Sequence, residues 1–91
     1  MIYRRTEHFK QSFHSLLRPI QVKVRKTFKL SAQDPKHPSL GVKKIKGHRE
    51  IWEGRIDRHY WFTFHYEKDR GGRAICVFRN VDNHDACLKN S

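Results

Sequence analysis

Negative charge is scarce in this chain: nine Asp and Glu stand against twenty Lys and Arg, a formal net charge of +11 on 91 residues. A domain so basic carries a positive potential over nearly its whole surface. Nucleic acid is therefore the first partner to consider, an anionic membrane the second and an acidic protein the third. Long apolar runs are missing as well. None approaches the roughly 20 residues that span a bilayer. The opening MIYRRTEHFK has no apolar stretch of the secretory kind, so a cytoplasmic protein with no membrane partner is expected. Only two cysteines occur, Cys76 and Cys87, which in that compartment read as reduced thiols. His84 and Cys87 are spaced like half of a zinc site, but no second close pair accompanies them, and neither metal nor cofactor is expected. A glycine-rich phosphate loop, an HExxH helix and a serine in a sharp glycine turn are all missing, which removes the common hydrolase and nucleotide-binding classes.

What is present is aromatic and patterned. Six Phe, two Trp and three Tyr carry enough apolar area for one thin core, so residues 1–91 read as a single domain. Over residues 9–31 the apolar positions recur at helical spacing: Phe9, Phe13, Leu16 or Leu17, then Ile20, Val24 and Phe28. Thr6 is placed to cap a first helix and Pro19 to sit in the first turn of a second. Because a residue before proline disfavours the helical region, Arg18 is expected in the break between them. Two prolines within residues 33–38 end the pattern.

The period then becomes two. Strands are expected at residues 42–46, 51–58 and 60–67. Trp52, Gly54 and Ile56 alternate against Glu53, Arg55 and Asp57, and Phe62, Phe64 and Tyr66 against Trp61, Thr63 and His65. Residues 74–78 form a continuous apolar run, as in a strand covered on both faces. Residues 1–5 are compatible with one more short strand. The expected fold class is α+β: an N-terminal helical hairpin packed on one face of an antiparallel β-sheet, with the other face polar, basic and partly aromatic.

The second half carries cations and imidazoles on its strands: Lys43, Lys44, Lys46, His48, Arg55, Arg58, His59, His65, Arg79 and His84. Acidic residues able to hold a hard cation are sparse there, which disfavours a magnesium-dependent nuclease. RNA can be cut without a metal, because its own 2′-hydroxyl attacks the neighbouring phosphate. The protein then supplies a base, an acid and cations for the charge on the phosphorane. Histidine titrates in the range needed for the first two, and Arg or Lys serves as the third. Plainer readings stand beside this one. Lys44 and Lys46 also suit an edge strand guarded against aggregation, Arg55 a surface ion pair with Glu53 or Asp57, and His84 a cap on a C-terminal turn.

The order PSLGVKKIKG, IWEGRI, YWFTFHYE and ICVFRNVDNHDACL resembles the RelE/ParE superfamily of toxins from toxin–antitoxin systems. Its members often read P-x-L-x-x-K-x-L-x-G, W-E-x-R, a Y-R-x-x-(Y/F) strand, and a closing V-G-x-H-D. The stretch from FKQSFHSL to SAQDPKHPSL is similar to the helical hairpin that precedes those motifs, so the resemblance covers nearly the whole chain. It implies a helical hairpin on an antiparallel sheet and metal-independent cleavage of mRNA on the ribosome. A cognate antitoxin protein is the implied partner, with the ribosome and mRNA. By position it makes Arg55, Lys43, Arg79 and His84 the catalytic set, with His84 in proton transfer as in YafQ-like members. Lys44, Lys46, Arg58 and Trp61 become RNA contacts. Two positions depart from the commoner pattern: Trp61 replaces the strand arginine, as in YafQ-like members, and Leu88 stands where a site aromatic usually stacks a base. ParE members share the fold and inhibit gyrase by binding, so a non-enzymatic inhibitor and a plain RNA- or ribosome-binding module remain the alternatives.

Overall fold

A computed structural model of the chain describes residues 2–45, 47 and 50–83. Lys46, His48, His84, Cys87 and Leu88 fall outside the described residues. Strand β1 (Ile2–Arg5) leads into helix α1 (Glu7–His14) and helix α2 (Arg18–Gln33), and a 3-10 turn (Pro38–Leu40) follows. Then come β2 (Lys43–Lys44), β3 (Trp52–Arg55), β4 (Tyr60–Lys68) and β5 (Ala74–Asn83). The five strands form one sheet in the order β1-β5-β4-β3-β2, with both helices on one face. The expected α+β hairpin-on-sheet architecture is what forms.

Local chemistry sets the element ends. Thr6 caps α1, its hydroxyl oxygen accepting from the Phe9 N–H at 3.1 Å. The break between the helices falls at residues 15–17. There the Gln21 side-chain amide donates to the carbonyls of Phe13 (3.0 Å) and Leu16 (3.2 Å), tying the first turn of α2 to the end of α1 and the break. Leu17 is extended (φ −61°, ψ 147°) and caps α2. Arg18 therefore lies inside the first turn of α2 and not in the break, because helical hydrogen bonding there outweighs the pre-proline preference.

Strand lengths also differ from the period-two pattern. β3 stops at Arg55 because the Asp57 carboxylate accepts from the N–H groups of His59 and Tyr60, both at 2.9 Å, and folds residues 56–59 into a turn. Burial raises the Asp57 pKa, but these two bonds and the Lys23 ammonium at 3.0 Å outweigh it and hold the carboxyl below its ordinary value. β2 is only two residues long. β1 runs parallel to β5, pairing Ile2 with Ile75 and Arg5 with Phe78, so the sheet is antiparallel except at this edge. That placement puts the apolar run of β5 between two strands, as its composition implies, and Val77 is fully buried.

The core is mostly phenylalanine. Phe78 of β5 stacks on Phe28 of α2 with centroids 4.0 Å apart and planes 14° from parallel, and Phe9, Phe62 and Phe64 pack around the pair. Gly54 belongs to this packing, since it lies opposite Phe62 in the ladder. A Cβ at Gly54 would meet Phe62 Cε1 at 2.6 Å, with Cζ closer still. Gly54→Ala is expected to lower stability by about 1–3 kcal/mol through overpacking, read as a lower urea midpoint with an unchanged m-value. A midpoint equal to wild type would mean that Phe62 has room to move.

Candidate functional site

The face of the sheet away from the helices gathers the polar half of each strand. Across β2, β3 and β4 one row runs Lys43, Glu53 and Thr63, and a second, continuing onto β5, runs Arg55, Trp61 and Asp82. Lys43 Nζ sits 5.8 Å from the centroid of Trp61 and the Arg55 guanidinium 5.7 Å from it. One indole thus holds two cations, whose mutual repulsion its negative π-face offsets. Under Lys43 the buried Glu53 carboxylate lies 3.4 Å from the ammonium, while Lys43 itself is exposed. The Arg55 side chain passes beside Gly41, a left-handed residue (φ 54°) that closes the 3-10 turn. Arg55 therefore pairs with neither Glu53 nor Asp57: Glu53 faces Lys43, and Asp57 faces Lys23.

Arg79 reaches the same face by an irregularity in β5. Phe64 pairs with Phe78 and Thr63 with Asn80, so Arg79 is an extra residue, a β-bulge. Its carbonyl accepts from the Thr6 hydroxyl at 3.0 Å. Beside it, Asn80 Oδ1 accepts from Ser12 Oγ at 2.8 Å and from the Val81 N–H at 2.9 Å. The bulge is thereby tied to α1. On the open side Arg79 Nη1 meets His65 Nδ1 at 2.9 Å, and His65 Nε2 meets Glu67 Oε2 at 2.7 Å. Arg4 Nη2 meets that same oxygen at 2.7 Å. The hydrogen bond with His65 first, then that from Arg4, keeps the Glu67 carboxyl below its ordinary pKa.

Of the residues singled out by sequence, Lys43, Arg55 and Trp61 come together, and Arg79 joins them on the same face. Lys44 does not. It stands over Trp52, 5.3 Å from the ring centroid, and Trp52 packs against the core on the helix side. Arg58 is exposed in the turn before β4. Lys46 and His84 lie outside the described residues. His65, Glu67 and Arg4 were not assigned a role from sequence, yet His65-x-Glu67 in a strand already places two titratable groups on one face. Cys76 is buried, which pushes its thiol up to about 11 and removes it as a nucleophile near neutral pH. An apolar cavity of about 630 Å³, lined by Pro35, Pro38, Val42, Trp52 and Tyr66 among others, includes none of Lys43, Arg55, Trp61 and Arg79. No described helix is long and apolar enough to cross a membrane.

A hairpin of two helices on this mixed, largely antiparallel sheet is the RelE-like fold. Among solved structures the chain is similar to a YoeB/ParE toxin from Agrobacterium tumefaciens, at TM-score 0.72 and 12% identity over 92% of this chain and 99% of that one. It is likewise similar to YafQ from E. coli, at TM-score 0.72 and 7% identity over 92% and 93%. A RelBE toxin–antitoxin complex from Mycobacterium tuberculosis gives TM-score 0.66 and 19% identity over 91% and 96%. No family model and no curated protein sequence matches the chain.

Because Arg55 makes its contact with Trp61 at the surface, its removal should spare the fold. Arg55→Ala is expected to shift unfolding free energy by no more than about 1 kcal/mol, the scale of an exposed cation–π pair. Urea titration followed by circular dichroism checks this. A loss of several kcal/mol would make this cation part of the structural core.

Proposed function

We propose that this chain is the toxin of a toxin–antitoxin pair, an endoribonuclease that cuts mRNA on the ribosome in the cytoplasm and is silenced by a cognate antitoxin protein. The observation that carries this reading is the cluster of Lys43, Arg55 and Trp61, with Arg79 on the same face, on a fold shared with YoeB, YafQ and RelE toxins. Two cations beside an aromatic plane suit a nucleotide: the base stacks on Trp61 while Arg55 and Lys43 meet its phosphate. As the 2′-hydroxyl attacks, charge builds on the phosphorane, and Arg55, Lys43 and Arg79 stabilise it more than they stabilise the ground state. His84 is assigned the proton transfer on its sequence position. Arg58 and Lys46 follow the RNA backbone as non-specific contacts, and the placement of Lys44 over Trp52 leaves it the weakest of the proposed RNA contacts. The antitoxin's chemistry follows from the same face: an acidic segment over Lys43 and Arg55 both neutralises the cations and excludes RNA.

With translating ribosomes and excess chelator, the protein is expected to cut mRNA and leave a 2′,3′-cyclic phosphate and a 5′-hydroxyl, seen by mapping the new ends. His84→Gln and Arg55→Ala should each lose about 10²–10⁴-fold in cleavage rate while still folding. Chelator-sensitive cutting would overturn the metal-free mechanism. Growth inhibition undiminished by both substitutions would point to a binding inhibitor of the gyrase-directed kind.

Ribosome or RNA affinity should also fall steeply between low and physiological salt, because a chain of net charge +11 displaces several counterions on binding. A flat salt response would mean that the basic face is not the binding face.

A further inference from the structure

One cluster on the open face has its hydrogen bonding fully determined by the chemistry of its members. A guanidinium has donors only. The 2.9 Å contact between Arg79 Nη1 and His65 Nδ1 therefore uses the lone pair of Nδ1, and the ring proton sits on Nε2. That nitrogen faces Glu67 Oε2 at 2.7 Å, an acceptor matched to the donor. Arg4, from the edge strand β1, holds the same carboxylate at 2.7 Å. Each member thus orients the next, from Arg4 to Glu67 to His65 to Arg79, across three strands.

Two consequences follow. The His65 lone pair is already occupied, so His65 is not the base that takes a proton from RNA. Arg79, in turn, is the inserted residue of a bulge, and no regular ladder position aims its side chain. Its Nε is buried and without a partner among the described residues, which leaves the contact with His65 to orient the guanidinium.

We infer that His65 is a positioning residue: with its tautomer set by Glu67 and Arg4, it aims the Arg79 guanidinium at the phosphate on the open face. The inference rests on the RNA-cutting reading above, which assigns Arg79 to that phosphate. Orientation errors of about 1 Å cost on the order of 100-fold in rate, so the effect should appear in the chemical step and not in binding.

The test uses single-turnover cleavage of ribosome-bound mRNA beside ribosome affinity, with thermal melting to verify folding. His65→Leu is expected to slow cleavage about 10–100-fold with affinity unchanged. His65→Gln should recover most of the rate, because its carboxamide oxygen can accept from Arg79 while its NH₂ donates to Glu67. The double variant His65→Leu/Arg79→Ala should be no slower than Arg79→Ala alone, since the first residue acts through the second. Imidazole ¹⁵N shifts of the wild type should report the Nε2–H tautomer. Wild-type cleavage by His65→Leu, losses that multiply in the double variant, or an Nδ1–H tautomer would each overturn the inference. A wild type that leaves ribosome-bound mRNA intact would instead remove the nuclease reading and with it the catalytic use of Arg79. The tautomer measurement would then still decide whether His65 holds the guanidinium.

Discussion

The ring of Phe78 is the constraint on which the other elements depend. It stacks on Phe28 of α2 and lies within 6.0 Å, centroid to centroid, of Tyr3 on β1, Phe9 on α1 and Phe62 on β4. One side chain therefore ties both helices to three adjacent strands. Deleting a buried phenylalanine costs about 3–5 kcal/mol, a large share of the roughly 5–15 kcal/mol by which a domain is stable. A slip of one residue in β5 would turn Phe78 to the opposite face and lose that contribution, so the ring also sets the register of the strand.

Register in turn places the bulge. With Phe78 held inward opposite Phe64, and Val81 inward opposite Phe62, the chain must absorb one extra residue between them. That residue is Arg79. A bulge frees backbone groups from the ladder, and a buried carbonyl without a partner costs about 1–3 kcal/mol. Here Thr6 takes the Arg79 carbonyl while also capping α1. The same threonine thus stabilises the start of a helix and the irregularity that brings a cation onto the open face. Packing on one side of the sheet and charge on the other are linked through two adjacent residues, Phe78 and Arg79.

Much of this was legible in the residues. The helical spacing of Phe9, Phe13, Val24 and Phe28 marks both helices, and Phe62 and Phe64 mark the buried face of β4, because apolar periodicity is local and directly sets burial. The grouping of Lys43, Arg55 and Trp61 follows from alternation once β2, β3 and β4 are neighbours. Three features were not legible. The parallel pairing of β1 joins positions more than 70 residues apart, and no local pattern encodes a partner at that distance. The bulge is invisible because a continuous apolar run followed by Arg79 and Asn80 carries no mark of register, and the extra residue appears only when the facing strand is known. The Arg4–Glu67–His65–Arg79 chain depends on both, so its members looked like separate surface charges. Lys44 shows the converse: a lysine run reads as one patch, but in a strand adjacent residues face opposite ways, and Lys43 and Lys44 are divided between the two faces.

The scarcity of acid then gains a structural meaning. Among the described residues, four acidic side chains hold cations: Glu53 under Lys43, Asp57 against Lys23, Glu67 against Arg4, and Asp69 against Arg73. Exposed pairs of this kind add little stability, about 0–1 kcal/mol each, so their main effect is to limit where lysine and arginine side chains go. Glu53 is the exception in being buried. A buried carboxylate is costly unless a cation stays close, which gives Lys43 a reason to remain over the open face even before a ligand arrives. Trp61 does the same for Arg55 by its π-face. The cations are thus held in place by groups that neutralise few of them, and a domain of net charge +11 keeps a strongly positive surface. Such a surface repels itself, and binding a polyanion is what relieves that repulsion. An uncharged or basic partner would gain nothing from it, whereas a polyanion or an acidic protein segment would.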